Sequence, residues 1–308
     1  MADRAPLYRF ESDAGSGAEP LQRAGLLIVA LGGFIDAGQV QQSIAEHLIA
    51  ELDSQVVASF RLDELYDYRA RRPVMVFDKD RWTSYADPAL LLHSVKDADG
   101  QRFWLLAGPE PDYQWERFVD DLMRLMLALG VDLVVSVHGI PMGVPHTRPV
   151  GLTAHGTNPA LLPPSTMSFD DVQVPGSVTG LLEYRLGERA RNAVGFAVHV
   201  PHYISARPFL TGALAALDAV EGISGLDLAR DALVERAAHE LREIDAEIRD
   251  REGIPEALAA MEAQYDAFVA GRERASLLAQ EQDLPSADEI GAQAEEFLRR
   301  ATDPHEPN

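Results

Sequence analysis

The sequence predicts an α/β fold, with one α/β body over residues 22–215 and a helical arm over residues 216–301. Three observations predict it. Short apolar, β-rich runs alternate with amphipathic segments of helical period, the pattern of a parallel or mixed sheet covered on both faces. Apolar residues make up 46% of the 308, enough to bury a sizeable core. From about residue 226 the apolar runs give way to narrow helical stripes in a charged background.

Residues 1–21 read as a flexible leader, with Gly15, Ser16, Gly17 and Pro20 close together. Leu26–Leu31 is the first buried strand and ends in Gly32-Gly33. A helix follows from Gly38 to about Leu52, then strands at Gln55–Phe60, Pro73–Phe77 and Phe103–Ala107. Between Tyr113 and Leu129, Trp115, Phe118, Leu122, Leu125 and Leu129 recur at helical spacing. Asp132–Val137 and Ala193–Val200 are two more strands. The stretch from Gly139 to Val178 is rich in Gly, Pro, Thr and His and lacks a helical period, so it reads as a long irregular loop. In the arm, Leu233, Ala237, Leu241, Ile244 and Ile248 form one stripe, and Leu258, Met261, Tyr265 and Phe268 a second. Ser286 to Glu289 is a capping box that opens a third helix, and residues 302–308 are a short tail.

Charge narrows the function classes. The net charge is −22, and residues 222–308 carry −12 of it, from 21 acidic residues against 9 arginines. Such a surface repels a phosphate backbone, so no nucleic-acid partner is expected. The chain has no cysteine, which excludes disulfides and thiolate chemistry and fits a reducing compartment. With neither a signal-peptide pattern nor a membrane-spanning run, the expected location is the cytoplasm.

Three groups of residues are candidates for chemistry. Gly33, Asp36 and Gly38 lie in a turn between a strand and a helix, where backbone N–H groups could cradle an anion; Asp36 could equally cap the helix. His138, His146, His155, His199 and His202 cluster near strand ends and in the long loop, with Arg148 among them. Their spacing matches no metal motif, so neither a metal nor a cofactor is expected. Arg69, Arg71 and Arg72 form the densest basic patch, suited to an acidic partner or to the chain's own carboxylates. No nucleophile elbow occurs, and no catalytic residue can be assigned.

Read together, Gly33–Gly38 (GFIDAG), Tyr68–Met75 (YRARRPVM), Gly108–Phe118 (GPEPDYQWERF), Gly139–Thr157 (GIPMGVPHTRPVGLTAHGT) and Val198–Tyr203 (VHVPHY) resemble the proteasome assembly chaperone 2 family in its actinobacterial-type branch. The long loop is the most specific part. The resemblance implies a phosphorylase/hydrolase-like three-layer sandwich with a mixed central sheet. It implies a homo-oligomer, often a trimer, and a chaperone-like partner of proteasome subunits. Relatives use a C-terminal hydrophobic-Tyr-any-residue tail for that contact, whereas this sequence ends Asp303-Pro-His-Glu-Pro-Asn308. The leading expectation is therefore an oligomeric, non-enzymatic protein-binding factor. The alternative is a small-molecule enzyme of nucleoside, peptide or carboxylate–amine ligase type, with the Gly32–Gly38 turn, His146, Arg148 and His155 converging on one pocket.

Overall fold

The computed structural model describes residues 5–11, 24–33, 36–163, 171–249 and 253–280, with side chains through residue 271. Two compact units divide the chain, residues 1–255 and 256–308. The first unit is built on a mixed eight-stranded sheet. Its strands are β1 (Tyr8–Phe10), β2 (Leu26–Gly32), β3 (Asp53–Phe60), β6 (Leu91–Lys96), β7 (Arg102–Pro109), β8 (Leu133–Met142), β9 (Leu152–Gly156) and β10 (Asn192–Pro201), in the order β1-β3-β6-β7-β2-β8-β10-β9. The central four, β7, β2, β8 and β10, run parallel. The outer ones are antiparallel to their neighbours.

Helices cover both faces, as the alternation of strand and helix requires. On one face α2 (Trp115–Leu129) and α3 (Val178–Glu188) close over Leu27, Val29, Leu31, Trp104 and Leu106. Phe118, Leu122 and Leu125 of α2 and Leu182 and Leu186 of α3 complete this core. On the other face lie α1 (Val40–Glu51) and α4 (Leu210–Ser224). Gly212 lets α4 sit close over Val198, because a side chain there would press on Val198 and Phe209. Against α4 packs α5 (Asp231–Arg249), whose Leu233, Ala237, Ile244 and Ile248 are buried as the stripe predicts. The boundary expected at residue 215 thus falls inside α4, and the compact unit continues to residue 255.

Several expectations need correction. Pro73–Phe77 does not join the main sheet: β4 (Met75–Asp78) pairs with β5 (Arg81–Tyr85) in a separate two-stranded hairpin. The long irregular loop contains order, since β8 runs on to Met142 and β9 forms the sheet edge beside β10. Within the stretch read as a leader, Tyr8–Phe10 pairs with β3 and Leu7 is fully buried. In the second unit, α6 (Ile254–Gln280) carries Leu258, Met261 and Tyr265 half-buried and Phe268 exposed. The third arm helix and residues 12–23 lie outside the described residues.

Candidate functional site

The turn after β2 is a packing device. The Asp36 carboxylate accepts the N–H groups of Gln41 (3.0 Å) and Gln42 (3.4 Å) and so caps α1. Burial pushes its pKa up, and its backbone hydrogen bonds oppose that rise. Gly38 has φ +70°, and its N–H donates to the Ser205 carbonyl while its own carbonyl accepts the Phe209 N–H, both at 2.8 Å. A side chain at 38 would strike Phe209 and Val200. The helix-start N–H groups that could have held an anion are therefore occupied by Asp36. At Gly33 a side chain would overlap the carboxylate of Glu110. That buried carboxylate accepts the Val178 N–H at 2.6 Å and fixes the start of α3, where Ser177 caps Gly180.

The expected histidines separate onto two faces. His146 is buried, and its Nε2 lies 2.9 Å from Asp245 of α5 while its Nδ1 lies 2.7 Å from the Tyr203 hydroxyl. A carboxylate only accepts, so Nε2 carries the hydrogen and Nδ1 accepts the Tyr203 O–H. The Tyr203 oxygen in turn accepts the His146 backbone N–H at 2.8 Å. This relay fastens α5 to the loop after β8 and to the turn after β10. Glu240, which accepts the Leu210 N–H, and Glu247, paired with Arg207, fasten α5 further. His202 is exposed, with its ring edge-on to Tyr203. Arg148 is half-buried in the same loop, its N–H directed at the Pro145 carbonyl.

His155 faces the opposite way. Its Nδ1 is 2.9 Å from Glu183 of α3, and its ring sits 5.7 Å from that of His138. His199 is buried and bonds Thr153 at 2.9 Å. Burial lowers the pKa of His199 and brings that of His138 to about 4. His146 and His155 thus serve different elements and do not converge on one pocket. Among the described residues, no three His, Cys, Asp or Glu stand where they could hold one metal ion.

The basic patch also divides. Arg71 pairs with Asp112 at 2.6 Å, donates to the Glu110 carbonyl and lies over the Tyr66 ring. Arg69 and Arg72 are exposed at the base of the hairpin. Glu110, Glu183, Tyr203 and Asp245 were not foreseen. Each acts on a residue at least 28 positions away, so no local spacing marks them.

The PAC2 family model matches residues 30–248. A Mycobacterium tuberculosis protein of unknown function is 41% identical, with a TM-score of 0.84 over 89% of this chain and 93% of that one. A Corynebacterium glutamicum protein of unknown function is 36% identical, with a TM-score of 0.79 over 85% and 97%. A proteasome-assembly chaperone homologue from M. tuberculosis is 25% identical, with a TM-score of 0.68 over 76% of this chain and 99% of that one. No curated protein matches the sequence. No helix among the described residues is long and apolar enough to cross a membrane.

Proposed function

The chain belongs to the PAC2 family, and on that premise we propose that it is a self-associating protein-binding factor that acts on proteasome subunits in the cytoplasm. The observation that carries this reading is the likeness to the mycobacterial proteasome-assembly chaperone homologue, which spans 99% of that chain. Purification of the tagged, full-length protein from its native cells tests it. Proteasome subunits are the expected co-purifying species. Their absence under conditions that recover other partners overturns the reading.

The hairpin supports the self-associating half. Val74, Met75, Val76, Phe77, Trp82 and Tyr85 are all exposed, Trp82 at 62% and Phe77 at 55%. A two-stranded hairpin is marginal in water by itself, and an apolar cluster of this kind marks an interaction surface. Arg69, Arg72, Lys79 and Arg81 accompany it, all exposed, in a chain of net charge −22. Within the hairpin Asp78 and Asp80 balance Lys79 and Arg81, so Arg69 and Arg72 at its base are what suits the acidic surface of a second copy. Three copies is the number that the family resemblance implies.

A further inference from the structure

The main sheet splits where two of its parallel strands part. β2 and β8 pair from Leu26↔Leu133 to Val29↔Ser136 and no further, although β2 continues to Gly32 and β8 to Met142. The chain leaves β2 for α1 on one face, and from β8 it passes through edge strand β9 to α3 on the other. Adjacent parallel strands whose connections leave on opposite faces form a topological switch point, the crevice where open α/β sheets take ligands.

His138 stands just past the split. It is opposite Ala197 of β10, which is opposite Thr153 of β9; one residue pair along, Gly195 is opposite His155. These side chains share the α3 face. Gly195 and Ala197 leave a low floor between the two histidines. The His155 ring occupies that space, since a side chain at 195 would overlap it. Glu183 receives the His155 Nδ1 hydrogen, so Nε2 is its working nitrogen. The His138 ring lies 5.7 Å from the His155 ring, centroid to centroid, and among the described residues no hydrogen bond holds it.

We propose that this crevice is a hydrolytic site for small uncharged esters or amides, with His138 as proton acceptor and His155, held by Glu183, as proton donor. His138 takes a proton from water as the water oxygen bonds to the acyl carbon. The bond from that carbon to the leaving group breaks, and the His155 ring, which enters the step with hydrogens on both nitrogens, protonates the leaving group from Nε2. The proton on His138 then returns to His155, restoring both rings. Two titratable groups held in contrasting environments are the usual mark of an acid–base pair. Burial and the neighbouring His155 keep His138 neutral, and only Glu183 opposes them. Glu183 offsets the charge of the His155 donor, which leaves no surplus positive charge to hold an anionic substrate.

The probe is p-nitrophenyl acetate with the full-length protein. Its leaving group needs no proton, so it isolates the role of His138. The expected rate stays level from pH 7 to pH 5 and falls near pH 4. His138→Gln is expected to cut it about 100-fold. Glu183→Gln is expected to slow ethyl acetate, whose leaving group needs the proton from His155, more than it slows p-nitrophenyl acetate. A wild-type rate equal to buffer, or equal rates for wild type and His138→Gln, overturns the proposal. Diethyl pyrocarbonate on the unmutated protein gives a second reading. At pH 5 it is expected to acylate His138 before the exposed His202 and His239. Modification in the reverse order also overturns it.

Discussion

The central sheet and the β4–β5 hairpin are made from similar residues and live under opposite conditions. In β10, nine of ten residues are buried, whereas all nine residues of β4 and β5 are exposed. Both carry β-branched and aromatic residues, which favour a strand in either place, although Asp78, Arg81 and Ser84 make the hairpin the more polar. Burial is set by what covers the strand. β10 has helices on both faces and a neighbour on each edge. The hairpin has its own two strands, an edge contact between Phe77 and Trp82, and one closing bond from the Ala86 N–H to the Val74 carbonyl. Its apolar residues therefore contribute to the fold only when something outside covers them.

Two tryptophans put this contrast to its sharpest test. Trp104 is fully buried in β7, and its indole N–H donates to the Ala24 carbonyl at 3.2 Å. Trp104→Ala is expected to cost about 3–5 kcal/mol in urea denaturation, through a core cavity and a lost hydrogen bond. The same substitution at Trp82, measured at dilution where copies separate, is expected to stay within about 0.5 kcal/mol. A large loss at Trp82 in the dilute protein would show that the hairpin belongs to the core after all.

The next largest effect concerns assembly. Phe77→Ser with Trp82→Ser is expected to lower the molar mass in light scattering from that of an oligomer to that of a single chain. The circular dichroism of the main sheet should not change. An unaltered mass would exclude the hairpin as the contact between copies.

How much of this was legible in the sequence follows from where each signal sits. The runs at Leu26–Leu31 and Ala193–Val200 read correctly because strands buried on both faces are continuous apolar runs. Edge strand β9 (LTAHG) was hidden because it has neither an apolar run nor clean alternation, and all five of its residues are half-buried. Helix α3 was missed although Ser177 caps it and Val178, Leu182 and Leu186 recur every four residues. At the site, Asp36 as a cap was legible because capping is local. The relay from Tyr203 through His146 to Asp245 was not, since it joins positions 57 and 99 residues apart. Nor does sequence reveal that β2 and β8 part at Ser136.

That relay gives a middle-sized prediction within the covered region. His146→Ala leaves Asp245 without its imidazole and the Tyr203 hydroxyl without its acceptor. The expected loss is about 1–3 kcal/mol. Hydrogen exchange should speed up across Asp231–Arg249 and leave Met75–Tyr85 unchanged. Equal protection of α5 in the variant would mean that its buried stripe alone holds it.

The smallest expected effect is a pH slope, because opposing groups share the same window. His138 has its pKa lowered from 6.5 to about 4 by burial and by His155, and burial lowers His93 and His199 too. Below pH 6.5 the unfolded chain takes up protons that the fold resists, so stability falls as pH drops toward 4. For His138 alone the limit is about 3 kcal/mol. Asp36 and Glu240 work in the other sense. Burial raises their pKa, so in the fold they hold protons to a higher pH than in the unfolded chain. Acidification therefore relieves part of their burial cost as it adds to that of the histidines. The expected net change from pH 6.5 to pH 4.5 is a loss smaller than the histidines alone would give. His138→Gln should remove its part of the histidine share and flatten the slope, with His93 and His199 still contributing. The hairpin double variant should keep the wild-type slope, since its substitutions touch none of these groups. A changed slope in that variant would tie the exposed hairpin to the buried sheet through a coupling that their opposite environments do not predict.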